Sequence, residues 1–227
     1  ALYYKESPAP FLITIAGMLC LFLPGAFLKA KDHFFAREGY VAVGSIWLLV
    51  GLFGAVPFYL SGAFPSFMDC VFEAISGFTT TGATILVNIE ALPRGILFWR
   101  ALMHWLGGMG ILVLIIALMP SLGSRTMFLM RAETPGPVPS KLVPKISQSS
   151  KILYTIYTGL TVIELAALRL CGMPLYDSVV TAFSTAGTGG FAVKNLSIAG
   201  YHSPLLEIVI TVFMLAFSVN FTVYFLI

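Results

Sequence analysis

The sequence predicts an all-α integral membrane protein built from repeated units of helix, re-entrant loop and helix. Three observations predict it. The 227 residues are 58% hydrophobic and only 10% charged, with a mean hydropathy of +0.93, whereas soluble domains carry about 25% charged residues. The apolar residues gather into runs at 10–28, 40–61, 95–119, 152–172 and 204–227, each near the roughly 20 residues that cross a bilayer. Finally, the segments 62–94 and 173–203 each hold a short amphipathic stretch that is too short to cross and ends in small residues.

The first run resembles a signal peptide in length. It ends at Pro24-Gly25 and runs into Lys29 and Lys31 without a small-residue cleavage pattern, so it is assigned as a spanning helix. The segment 1–39 is this extra helix and its link. Basic residues orient the chain, because loops on the cytoplasmic side are rich in Lys and Arg. The link 29–39 carries Lys29, Lys31 and Arg37, and the linker 120–151 carries Arg125, Arg131, Lys141, Lys145 and Lys151. These are eight of the thirteen basic residues, against the acids Asp32, Glu38 and Glu133. Both links are expected in the cytoplasm, which puts 62–94 and 173–203 on the outer side. A net charge of +3 gives no reason to propose nucleic acid. Cys20, Cys70 and Cys171 have no metal-binding spacing and read as thiols packed in the membrane.

The outer segments open with PSFMDCVFEAISGF and MPLYDSVVTAF and then run into Thr, Ser, Ala and Gly. A short helix that enters the membrane and turns back fits both. A non-helical return is tolerated only where protein or a wet cavity lines it. A shift of 105 residues brings Met68 onto Met173, Phe78 onto Phe183, Thr79 onto Ser184, Thr80 onto Thr185 and Gly82 onto Gly187. The repeat divides the chain into a first unit at 40–119 and a second at 152–227.

These runs carry the chemistry. Thr79-Thr80-Thr81-Gly82-Ala83-Thr84 and Ser184-Thr185-Ala186-Gly187-Thr188-Gly189-Gly190 combine hydroxyls with glycines that can turn backbone carbonyls toward an axis. Carbonyl dipoles replace the hydration shell of a monovalent cation without trapping it, and the C-terminal end of each short helix favours positive charge. The candidate filter residues are Thr80, Thr81, Gly82 and Ala83 in the first unit and Thr185, Ala186, Gly187 and Thr188 in the second, with K⁺ as the expected cargo. The fold class is thus the potassium-channel type. Asp69, Glu73, Glu90 and Asp177 are expected to raise the cation concentration at the mouth.

Other polar residues keep two readings. Arg100 and His104 share a face of the helix over 95–119. Arg100 could meet pore-loop carbonyls or carboxylates or snorkel to the interface, and with Glu73 and Asp177 it is a candidate support for the pore, while His104 reads as structural. Glu164 and Arg169 are intramembrane charges with either a functional or a packing role. Glu207 opens the last helix, and Asn220 is expected to bond a neighbouring helix. Gly107, Gly108 and Gly110 are expected to permit close helix packing.

FEAISGFTTTGAT, LPRGILFWRALMHWLGGMGI, RAETPGP, AFSTAGTGGF and SVNF followed by Tyr224 together resemble the membrane subunit of bacterial Trk-type potassium transporters, within the Trk/Ktr superfamily. The resemblance runs in order from about Arg37 to Ile227. It implies a pore of four linked repeats with one filter glycine in each, the first two falling on Gly82 and Gly187. It also implies a homodimer in the bacterial inner membrane, regulated by a cytosolic ring that binds nucleotide. The chain departs from that pattern in holding two repeats, and it reads as the amino-terminal half of a longer transporter. A sodium-conducting relative and a non-conducting half-pore stay open as alternatives. Gly82 favours K⁺ over Na⁺, since sodium-selective relatives often carry Ser there. A membrane-embedded enzyme would need a nucleophile–base pair or a metal cluster, and neither is legible.

Overall fold

The computed structural model describes residues 6–26, 36–110, 146–219 and 223–224. The described residues are helical and contain no strand. Helix α1 is Ala9–Ala26 and α2 is Ala36–Leu60, followed by α3, Phe67–Phe78, and α4, Arg94–Gly108. Helix α5 is Ile146–Leu170, α6 is Leu175–Ala186 and α7 is Pro204–Ser218. A 3₁₀ turn at Ser197–Tyr201 precedes α7. Residues 120–145 of the expected linker lie outside the described residues, as does Asn220.

The repeat is exact in length. Helices α2 and α5 have 25 residues, α3 and α6 have 12, and α4 and α7 have 15. Val41–Leu60 and Ser150–Leu170 are long and apolar enough to cross a membrane. At 1.5 Å per residue, a 12-residue helix covers about 18 Å, short of the roughly 30 Å hydrocarbon layer. Helices α3 and α6 therefore enter and stop. Each starts under local control: the Met68 amide donates to Ser66 Oγ (3.2 Å), Asp69 and Asp177 lie in the first turns, and Pro174 precedes α6. Acids there complement the positive helix end.

Helix α3 packs between α2 and α4, and α6 packs against α4, α5 and α7. Helix α4 thus serves both units. Around α3 the core is Ala55, Phe58, Cys70, Ala74, Phe78 and Met103. The outer faces of α1, α5 and α7 leave Leu12, Ile13, Val162, Ile163, Ile208 and Val212 more than half exposed, a surface suited to lipid rather than to water. The buried stripe of α5 is polar instead: Ser150, Tyr154, Tyr157, Thr161 and Glu164, with Leu168. Its spacing of three and four residues puts all six on one helical face.

Two expected helices are shorter than their apolar runs. Helix α4 stops at Gly108, with Met109 as its cap and Gly110 at φ 80°. Helix α7 stops at Ser218 because Val219 is extended (φ −70°, ψ 137°). The carbonyls released there find hydroxyl donors. Tyr157 donates to Trp105 O (3.0 Å), Tyr154 to Gly110 O (3.4 Å) and Tyr224 to Ala216 O (2.8 Å). Helix α5, in contrast, begins at Ile146, six residues before its expected start.

The glycines of α4 permit close approach, as expected. A Cβ on Gly107 would run into the backbone carbonyl of Phe78, and one on Gly108 would come within 2.6 Å of Gly187 Cα. Gly107→Ala should therefore lower stability by about 1–3 kcal/mol through overpacking, read as a lower melting temperature of the purified protein in detergent. Gly17→Ala, where the added methyl meets open space, should not lower it.

Candidate ion-conducting site

Both short helices end in the same hydrogen-bonded cap. After α3, Thr80 N–H donates to Gly77 O (3.1 Å) and Thr81 N–H to Ser76 O (3.0 Å). After α6, Thr188 N–H donates to Thr185 O (2.8 Å) and Gly189 N–H to Ser184 O (3.0 Å). This is a Schellman motif, which requires a left-handed residue just past the cap. Here that residue is a threonine, Thr80 at φ 55° and Thr188 at φ 54°, and a glycine at positive φ follows two residues later, Gly82 at 71° and Gly190 at 86°. The chain thus leaves both helices along the same path.

That path fixes the register. Phe67 and Leu175 begin the two helices, so equivalent residues lie 108 apart, not the 105 that sequence similarity suggested. The backbone equivalent of Gly82 is Gly190, and Gly187 corresponds to Thr79. Three of the expected filter residues are therefore misplaced. Thr185 and Ala186 are the buried last turn of α6, and the Thr185 hydroxyl donates back to Thr181 O (2.9 Å). Gly187 is the buried cap at φ −76°. Thr188 and Gly190 are exposed, as are Thr79, Thr81 and Ala83. The two loops lie side by side at the same end of the molecule: a Cβ on Gly82 would strike the carbonyl oxygen of Gly189. The Ala83 carbonyl accepts a hydrogen bond from Ser76 Oγ (2.6 Å), which holds that end of the first loop against α3.

Behind the first loop lies a buried ion pair. Arg100, on α4, is 1% exposed, and Glu73, on α3, is fully buried. Arg100 donates to Glu73 Oε1 from Nε (2.8 Å) and from Nη2 (2.7 Å). Nη2 also lies 3.3 Å from Thr84 Oγ1, and that hydroxyl donates to the Glu73 carboxylate. Arg100 does not snorkel, and Glu73 is not at the mouth. Asp177 is engaged as well, accepting from the Tyr201 hydroxyl at 2.7 Å; burial and this carboxylate push the Tyr201 phenol well above its ordinary range. Of the expected mouth acids, Asp69, Glu90 and Asp177 keep exposed or half-exposed positions, with Glu90 accepting from the Asn195 amide (3.0 Å). Arg169 donates to Met173 O at 3.1 Å. Glu164 is fully buried beside Thr185, and its carboxylate oxygens have no hydrogen-bond partner among the described residues.

Sequence reasoning missed two connectors between the units. Asn195 accepts from the Ile89 amide (2.7 Å) and donates from Nδ2 to Asn88 (3.0 Å), tying together the two return segments. Phe191 ends the second loop, with its ring centroid 4.0 Å from Arg100 Cζ and stacked 4.0 Å from the His104 ring. A phenylalanine directly after Gly-Gly, in a run otherwise made of small residues, was the signal available for it.

Paired short helices, each ending in a glycine-bearing loop between longer apolar helices, define a membrane protein with pore-loop repeats. The chain belongs to the TrkH family of cation transport proteins, whose family pattern matches residues 11–227. It is accordingly a multi-pass membrane protein. It is 40% identical to the Trk system potassium uptake protein TrkH of Halomonas elongata, over 94% of this chain and 44% of that protein. It is 39% identical to the protein of the same name from Escherichia coli K12, over 99% of this chain and 48% of the relative. The crystal structure of the potassium transporter TrkH from Vibrio parahaemolyticus superposes with a TM-score of 0.79 at 33% identity, covering 99% of this chain and 46% of that one. The chain spans about half the length of the curated relatives it matches.

The ion pair gives a direct test of what holds the first loop. Removing one partner of a buried pair costs about 3–5 kcal/mol because the other charge is stranded. Glu73→Ala should lose that much stability, and Glu73→Met combined with Arg100→Met should recover most of it. Thermal unfolding of the single and double variants in detergent checks the expectation.

Proposed function

We propose that this chain supplies two of the four repeats of a potassium uptake transporter, and that K⁺ passes along the loops Thr80–Ala83 and Thr188–Phe191. The observation that carries the reading is the matched pair of loops. Two helices of equal length stop inside the membrane, cap in the same way, and release exposed backbone at equivalent positions, side by side. Carbonyls and hydroxyls in such a loop can stand in for the water around a K⁺ ion, and both helix C-termini add a favourable field for a cation. The relatives named for potassium uptake support the choice of ion. Gly82 and Gly190 both use positive φ, which a larger residue adopts only with strain.

The remaining two repeats would complete the ring, since two loops supply half of a four-sided cage. Their cover is needed because exposed Thr, Ser and carbonyl groups cannot face lipid. By the same reading the whole protein is a homodimer in the bacterial inner membrane, with a cytosolic nucleotide-binding ring as its regulator. The loop end faces outward and the linker 120–151 faces the cytoplasm, in keeping with the distribution of Lys and Arg.

Two measurements test this. In the full-length transporter, Gly82→Ser and Gly190→Ser should each weaken the preference for K⁺ over Na⁺ in competition uptake assays; wild-type selectivity in both would refute the assignment. Single cysteines in a background lacking Cys20, Cys70 and Cys171 test register and side together. Thr188→Cys should react with an impermeant thiol reagent added outside, whereas Thr185→Cys and Ser140→Cys should not.

A further inference from the structure

The two units match in length but not in what braces their loops. In the first, the Glu73 carboxylate, the Arg100 guanidinium and the Thr84 hydroxyl are joined behind the loop, and Ser76 donates to Ala83 O. The equivalents in the second unit follow from where its helices start. Thr181 stands in place of Glu73 and Ile210 in place of Arg100. Ser184 stands in place of Ser76; its hydroxyl is buried and has no hydrogen-bond partner among the described residues. The second unit thus lacks these charged and hydrogen-bonded supports.

It has Phe191 instead, 4% exposed, where the first unit has Ala83. The ring lies against two side chains of α4, which belongs to the first unit. Arg100 Cζ is 4.0 Å from its centroid, and the His104 ring stacks on it at 4.0 Å with an interplanar angle of 21°. His104 also fills the space that a Cβ on Gly189 would need, and its backbone carbonyl fills that of Gly187. Residues 187, 189 and 191 are therefore all seated on one turn of α4. The guanidinium is desolvated, and a cation–aromatic contact is stronger there than at an exposed site.

We propose that Arg100 and His104, through Phe191, set the geometry and hence the ion preference of the second unit's loop. They are positioning residues: neither side chain needs to touch the ion. Arg100 holds the carboxylate of α3 and the ring of the second loop at once, so the two loops share one support and move together. The inference rests on the reading of these loops as an ion filter.

The test is the ratio of K⁺ to Na⁺ uptake by the full-length transporter in proteoliposomes, a ratio that does not depend on how much protein inserts. Phe191→Leu keeps the Glu73–Arg100 pair and removes the aromatic face. It should lower the ratio by about tenfold, the scale of a buried cation–aromatic contact, while Phe191→Tyr restores most of it. Arg100→Lys, which keeps the charge but not the flat guanidinium, should fall between them. Gly189→Ala, whose methyl would strike the His104 ring, should also lower the ratio. Gly82→Ser serves as the control for the filter reading. If Phe191→Leu and Arg100→Lys keep the wild-type ratio while Gly82→Ser loses it, the filter stands and the cross-unit support is wrong. If Gly82→Ser and Gly190→Ser also keep the ratio, the filter reading fails and this inference falls with it.

Discussion

A chain that turns back inside a membrane must satisfy its own backbone, because lipid offers no hydrogen bonds. Helices α3 and α6 stop after 12 residues and so release backbone groups where none can be left bare. Each helix ties off its last turn with a two-bond cap, which keeps the Ser76, Gly77, Ser184 and Thr185 carbonyls occupied. The hydroxyls of Tyr154, Tyr157 and Tyr224 act likewise where α4 and α7 stop early. The two tyrosines in the polar stripe of α5 answer the same requirement, donating to the broken helix beside them, while Thr161 donates to Tyr157 O of its own helix and accepts from the Trp105 indole.

The architecture was legible because composition and run length report directly on the membrane. Apolar stretches of about 20 residues, short stretches that could not cross, and glycine-rich ends sufficed for the order of the elements. The register was not legible by matching residue types. Phe78-Thr79-Thr80 and Phe183-Ser184-Thr185 look alike, yet the first sequence ends a helix and the second is still inside one. Helix length and the cap decide which residues emerge, and neither is a matter of local identity. Better signals lay at an offset of 108: Asp69 with Asp177 in the first turns, Ser76 with Ser184 in the last, and Thr-x-Gly at 80–82 and 188–190. The mouth position expected for Glu73 failed for a related reason. An acid on an outer segment looks solvent-facing until the partner it is buried with, here Arg100, is found further along the chain.

The internal repeat is a repeat of backbone more than of side chains. Equal helices and equal caps are kept, while the supports behind them differ: an ion pair in one unit, an aromatic ring leaning on that ion pair in the other. Helix α4 is the common wall. Its glycines let the backbones of Phe78 and Gly187 come close on two sides, and its charged and imidazole side chains reach both loops. Asn195 fastens the same two segments at their far ends, so the loops are held together above and behind.

The left-handed threonines carry one more consequence. A residue with a Cβ is strained in that conformation relative to glycine, by roughly 1–2 kcal/mol, and the Schellman position is where glycine is commonest. At Thr80 and Thr188 the fold holds strain at the two places where glycine would relieve it, directly before the exposed backbone. Both loops therefore begin from a tensioned hinge whose stiffness comes from a methyl and a hydroxyl rather than from a bond to a neighbour. Thermostability and loop stiffness are opposed at these two sites: a screen that selects only for heat resistance would be drawn to glycine there, and would slacken the backbone that leads into the pore.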